Sequence, residues 1–406
     1  MKLVGALICG VVLSGCLPRT GQTGAVPSDW VATWEAAPQL VEPRNLPPPP
    51  GLSGNTLRQV IHLAPGGSRW RIRLSNEFGD GSLIVAAAHA ARSAGADALI
   101  PGTDVQLRFG GGASVTIPAG AAVLSDPFDL RVSALSELAV SLNISTAPTA
   151  ITGHPGSRTT SFIVAGDRVT DERLPDGVRT EHWYVISGVQ RLAPAGSGAV
   201  VVLGNSIVDG RGSGTDRNNR WTDNLARRFQ EQGETARISV LNAGIGGNAV
   251  VRGGLGPTAL ARFERDVVSQ PGARWVIVSE GVNDIGTAPG ADSSASMARQ
   301  LIEAYRHLVR RAHDRGLRVY GATILPFGGA AYGTPEHEAA RATVNRWIRE
   351  SGAFDAVIDL DGVMRDPADH SRLRPDADGG DHLHPNELGY RLIADAVDLS
   401  WFTVRR

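Results

Sequence analysis

Ser206 stands where an apolar run breaks into a turn. Residues 201–210 read Val-Val-Leu-Gly-Asn-Ser-Ile-Val-Asp-Gly, and after a polar loop a helical pattern begins near Trp221. A hydroxyl just past the carboxyl end of a buried parallel strand lies where open α/β sheets carry their reactive groups. Gly204-Asn205-Ser206 is also ordinary turn composition, so the reading needs more than this segment. Three further segments supply it.

Acyl transfer requires a nucleophile, a base, a group that orients the base, and donors aimed at the oxyanion. Asp381-His382-Leu383-His384-Pro385 places an acid three residues before a histidine. A carboxylate that close can accept from the imidazole Nδ1–H and leave Nε2 free to take a serine proton. In Asn242-Ala243-Gly244-Ile245-Gly246-Gly247-Asn248, Gly247 would offer a backbone N–H with no side chain to block approach, although Gly244 and Gly246 are alternatives. Asn283, in Gly281-Val282-Asn283-Asp284, would offer an amide donor, and the Ser206 N–H a third.

In this order the four segments resemble those of the SGNH or GDSL hydrolases, whose blocks are Gly-Asp-Ser, a glycine loop, Gly-x-Asn-Asp and Asp-x-x-His-Pro. Blocks three and four match at every fixed position. The resemblance covers about residues 199–397 and implies Ser206, Asp381 and His384 as catalytic residues. It implies Ser206, Gly247 and Asn283 as the oxyanion donors. One position departs: Asn205 replaces the family's usual aspartate. Asparagine keeps an acceptor oxygen of nearly the same shape, so a local turn hydrogen bond is expected to survive.

These residues need a scaffold, and the chain changes rhythm to provide one. From about residue 30 to 195 the pattern is β. Trp70, Ile72 and Leu74 alternate with Arg71, Arg73 and Ser75, residues 138–144 do the same, and short strands flank Gly110-Gly111-Gly112. Such a series predicts a sandwich or jelly roll. From Gly198 onward, apolar strands alternate with amphipathic helices. Strands are expected at 199–203, 237–241, 275–279, 318–323 and 356–360, and helices at 221–232, 258–269, 296–315, 335–350 and 385–398. Pro335 and Pro385 suit first helical turns and Gly316 a helix stop. The expected fold is therefore an all-β domain (29–195) before a flavodoxin-like, three-layer α/β domain with a five-stranded parallel sheet (196–406).

The amino terminus reads as an export signal. Lys2 precedes an apolar stretch, residues 3–13, that is too short for a permanent membrane span. Leu13-Ser14-Gly15-Cys16 resembles a bacterial lipobox, which implies an acylated Cys16 as the new terminus, a cell-envelope location and a tether over 17–28. Leu17 after the cysteine favours, by the same resemblance, the outer membrane of a Gram-negative cell. Cleavage would leave Cys16 as the sole cysteine, with no intramolecular disulfide possible.

Composition narrows the function classes. A formal charge of −1 without a basic cluster argues against a nucleic-acid partner. Lys2 is the sole lysine, which excludes Schiff-base chemistry and a P-loop. No metal or organic cofactor is implied, although His382 beside Asp378 invites a metal reading. His154 reads as a loop histidine with reaching the site as the alternative, and Arg217, Asn218, Asn219 and Arg220 as solvated helix-entry residues with substrate contact as the alternative. The resemblance implies a serine esterase working through an acyl-enzyme, and an exported enzyme with an accessory β domain is similar in plan to SGNH carbohydrate esterases that remove acetyl groups from polysaccharides. The alternatives are a lipase or arylesterase, and a catalytically silent glycan-binding lipoprotein. The oligomeric state is not legible.

Overall fold

The structure, a computed structural model, describes residues 30–403. The lipobox and its Cys16 lie outside the described residues. In the first half, one sheet carries strands Trp30–Glu35, Ile186–Leu192, Gly67–Asn76 and Phe128–Val132, with Ala121–Leu124 also on Gly67–Asn76. A second sheet is built around Asn55–Leu63, Ser136–Thr146 and Leu83–Gly95. All these pairings are antiparallel, and the alternation at Trp70, Ile72 and Leu74 turns those three fully inward. They pack against Leu57, Ile61, Val140 and Leu142 of the facing sheet in one core. The expected sandwich is there, with a small third sheet (Gln39–Leu40, Thr152–His154, Trp183–Tyr184) added at one side.

The second half is the expected three-layer α/β domain. Its five strands are Gly198–Gly204, Ile238–Gly244, Ala273–Ser279, Arg318–Ala322 and Ala356–Ile358. All are parallel, and the second lies outside the first, with the third, fourth and fifth following on the other side. Both faces are buried. Val201, Leu203, Val276 and Val278 face one helical layer, while Val200, Val202, Trp275 and Ile277 face the other. This is why these strands read as unbroken apolar runs. The strand order reverses between the first and third strands, so a crevice opens at their carboxyl ends.

Several expected helices differ in detail. Pro335 begins its helix, Pro335–Glu350, with Thr334 as the cap. Pro385 does not begin one: it bridges to Asp378 in extended form, Asn386 caps, and the helix is Glu387–Asp395. The pattern at 258–269 splits into Ala259–Phe263 and a π-turn, Glu264–Val268. The long helix starts at Gly290 rather than 296 and ends at His313, with Gly316 at φ 71° just after it. Three one-turn helices, Ser206–Asp209, Val282–Gly286 and Leu360–Met364, are too short to carry a periodic signal.

The two halves share packing. Val31 and Ala32 of the first strand belong to the core on one face of the parallel sheet, and Ala36 bridges to Asn242 at the sheet's edge strand.

Candidate active site

Ser206 opens the one-turn helix Ser206–Asp209 directly after the first parallel strand. Asn205 caps it, accepting from the Ile207 N–H at 3.0 Å, so the turn hydrogen bond survives the loss of the usual aspartate. The helix ends on Gly210 at φ 96°, a left-handed position suited to glycine. Ser206 Oγ lies 2.8 Å from His384 Nε2, and His384 Nδ1 lies 2.7 Å from Asp381 Oδ2. The hydroxyl, imidazole and carboxylate therefore form one continuous chain.

The acid is fixed in the position this chain requires. Asp381 Oδ1 accepts from the Leu383 and His384 N–H groups at 3.1 and 2.8 Å, which leaves Oδ2 for the ring. Burial would raise its carboxyl, but the bonds from the His384 ring and these N–H groups hold it down at about 2. Burial lowers the His384 imidazole below its ordinary value, against the pull of Asp381 in the other direction. A neutral ring with Nε2 on the serine is the state a general base needs.

The three glycines of the second segment divide by role. Gly244 is buried where a Cβ would strike the Asp209 backbone, so it serves packing between strand and helix. Gly246 and Gly247 both line the cleft, and neither N–H has an acceptor among the described residues. Gly247, at φ 73°, occupies a conformation that L side chains rarely adopt. Asn283, on Val282–Gly286 after the third strand, gives one amide N–H to Asn248 O at 2.7 Å and accepts from the Tyr332 hydroxyl at 3.3 Å. Its second amide N–H is left over, and Asn283 lines the same cleft. Ser206, at the first helical position, has no intrahelical acceptor for its N–H. Asp284 caps no helix: it accepts from the Val250 and Val251 N–H groups at 2.8 and 2.9 Å and pins the glycine loop.

Two residues that the motifs do not announce hold these pieces. Arg262 is fully buried and donates to Gly204 O, Ala243 O and Asn248 Oδ1 at 2.9, 2.6 and 3.0 Å. It thereby joins the first strand, the second strand and the glycine loop. Glu280 is buried beneath the nucleophile turn and accepts from Asn205 Nδ2 at 3.0 Å and Gly281 N at 3.1 Å. Burial pushes its carboxyl up to about 8, with Arg262 acting in the opposite direction. An apolar-to-acid switch at the end of a strand, Val278-Ser279-Glu280, was the available sequence signal for the latter.

His154 is in a strand rather than a loop, on the side that approaches the site. It ends strand Thr152–His154, is buried, and bonds Asp209 at 2.9 Å, so the first half touches the nucleophile's own helix. Arg220 is also buried, against Asp223 and Ser157 O, while Arg217 pairs with Glu387 and Asn218 with Glu137. Asn219 accepts from the Gly214 N–H. None of the four is among the residues that line the cleft, and the burial of Arg220 corrects the solvated reading for that residue. His382 is half exposed and bonded to Asp378 at 2.5 Å.

The cleft holds about 460 Å³ and is built by both halves. Gln39, Arg44, Pro155 and Arg158 come from the first; Ser206, Gly247, Asn283, Tyr332 and His384 come from the second. Residues 202–392 match the GDSL-like lipase/acylhydrolase family. The C-terminal half of the chain is therefore an SGNH/GDSL domain, a carboxylic ester hydrolase. No curated protein is similar to the chain. Among solved structures, a lipolytic protein of the G-D-S-L family from Desulfitobacterium hafniense is 19% identical over 49% of this chain and 96% of its own, at a TM-score of 0.38. An acylhydrolase from Bacteroides fragilis is 20% identical over 50% of this chain and 86% of its own, also at 0.38. The acetylxylan esterase Axe2 from Geobacillus stearothermophilus is 21% identical over 50% of this chain and 93% of its own, at 0.38.

Proposed function

We propose that this ester hydrolase works through an acyl-enzyme on Ser206 and removes acetyl groups from carbohydrate. His384 takes the serine proton as Oγ attacks the carbonyl carbon. The Ser206 and Gly247 N–H groups and the Asn283 amide hold the oxyanion, and His384 then protonates the departing alcohol. Water, activated by the same imidazole, attacks the acyl-enzyme, releasing acetate and restoring Ser206. Asp381 holds the ring in the required tautomer throughout.

The observation that carries the reading is the unbroken chain from Ser206 Oγ to His384 at 2.8 Å and on to Asp381 at 2.7 Å. Preference for a small acyl group rests on the lining. The cleft mixes Leu255, Ala330, Ala331 and Leu383 with arginines, amides and carboxylates, a polar surround that suits a short acyl group on a polar acceptor. The test is hydrolysis of aryl acetate against aryl octanoate, with Ser206→Ala as control. Acetate turnover that falls by about 10³-fold or more in the variant is expected. Preference for octanoate would favour the lipase alternative, and no turnover of either ester would overturn the proposal.

We further propose that the chain is exported and acylated on Cys16, a reading supported by the Leu13-Ser14-Gly15-Cys16 sequence after a short apolar stretch. Labelling with a radioactive fatty acid that persists in Cys16→Ser would contradict it.

A further inference from the structure

The charges lining the cleft are unequally engaged. Its carboxylates all have partners: Asp381 with His384 at 2.7 Å, Asp209 with His154 at 2.9 Å, and Glu42 with Gln39 and Asn45 at 2.8 and 2.9 Å. Its arginines do not. Among the described residues, Arg44, Arg158 and Arg211 make no side-chain hydrogen bond or ion pair, and the Arg158 Nε is buried without any acceptor. The buried Arg158 Nε is a polar group of the kind that is ordinarily bonded, and the exposed guanidinium groups of Arg44 and Arg211 stand at the same cleft without a protein partner among the described residues.

Arg158 is held in place at a conformational cost. It has φ 49°, which a non-glycine residue seldom adopts. Its carbonyl accepts from the Asp216 N–H at 3.0 Å, and the neighbouring Ser157 carbonyl accepts from buried Arg220. Arg211 directly follows Gly210 at the end of the nucleophile's helix, and its carbonyl accepts from the Tyr390 hydroxyl at 2.5 Å. The next residue, Gly212, lies against the Pro385 carbonyl and the His384 side chain. Arg211 thus lies on the imidazole side of the cleft, Arg158 lines the same cleft, and the charge of each works to lower the His384 pKa. That is the side from which the alcohol departs, because His384 returns the proton to it.

We propose that the alcohol part of the substrate carries a carboxylate, bound by Arg158 and Arg211 with Arg44 at the outer edge. The inference rests on the serine-esterase reading and narrows it to esters of acidic sugars or similar hydroxy acids. Planar guanidinium forks match a carboxylate in two parallel hydrogen bonds. The first half of the chain then takes part in binding, because without Arg44 and Arg158 the acceptor side of the site is incomplete.

The test compares 4-acetoxybenzoate, whose leaving phenol bears the carboxylate, with its neutral methyl ester. The readout is the ratio of their kcat/KM values in the native enzyme, in Arg158→Gln and in Arg211→Gln. Differences in intrinsic reactivity cancel when a variant's ratio is divided by the native one. Each substitution is expected to lower the ratio by about tenfold to a hundredfold. Salt near 0.5 M should lower the native ratio as well, since Arg44 and Arg211 are exposed. Arg211→Gln, at an exposed position, keeps the test valid if Arg158→Gln folds poorly. Turnover of the methyl ester with a ratio that neither variant changes would overturn the proposal. Turnover of neither ester would instead overturn the esterase reading beneath it.

Discussion

Glu280 leaves no place for a second ionised carboxylate at the base of the nucleophile turn. Its Oε2 accepts from Asn205 at 3.0 Å in a fully buried setting, and its carboxyl is already pushed up to about 8. An aspartate at 205 would bring a second carboxylate to that distance with little water to screen it. Asn205 therefore suits its partner: it keeps the cap to Ile207 and supplies a donor to Glu280. Asn205→Asp is expected to cost about 2–4 kcal/mol. Adding Glu280→Gln should return most of that loss in a double-mutant cycle by denaturant unfolding, and additive losses would contradict the pairing. The imidazole gives a second prediction at this scale. Because burial lowers the His384 pKa, the acid limb of kcat/KM should have its midpoint below the ordinary histidine value of about 6.5. Asp381 works to raise that pKa, so Asp381→Asn should move the limb to still lower pH while reducing the plateau. A limb that moves upward would contradict the assigned role of the acid.

Between elements, the contact that matters most joins the loop after Thr152–His154 to the helix Ser206–Asp209. His154 bonds Asp209, and a Cβ on Gly156 would collide with the Asp209 carboxylate. Gly156→Ala is expected to displace Asp209 and the helix that begins with Ser206. Both kcat and thermal stability should fall, the former by about tenfold or more, since small misplacements of reacting groups are costly. Unchanged kcat with lowered stability would confine the loop to a structural role. This contact was not legible in the sequence, because His154 and Asp209 belong to different halves and carry no shared motif. The parallel strands were legible because burial on both faces leaves a continuous apolar run, as in Val200, Val201, Val202 and Leu203. Pro385 misled because a proline is equally at home in the extended residue before a cap. The π-turn at Glu264–Val268 hid within a helical pattern that a single extra residue per turn barely disturbs.

At the scale of the molecule, the fold draws the reactive groups from across the second half. Ser206 and His384 are 178 residues apart and meet only because the first parallel strand and the loop before Glu387–Asp395 end at one crevice. The meeting of Ser206, His384 and Asp381 was legible because an acid three residues before a histidine can reach its ring, and because the four short segments resemble those of one family in order. The composite cleft wall was not, since Arg44 and Arg158 are ordinary residues until the sandwich places them there. Labelling with a fluorophosphonate, located by peptide mass mapping, tests the central claim most directly. A single adduct on Ser206 is predicted, slowed in His384→Ala and absent from Ser206→Ala or from protein unfolded before exposure. A folded protein that takes no label, or takes it on another residue, would contradict the account.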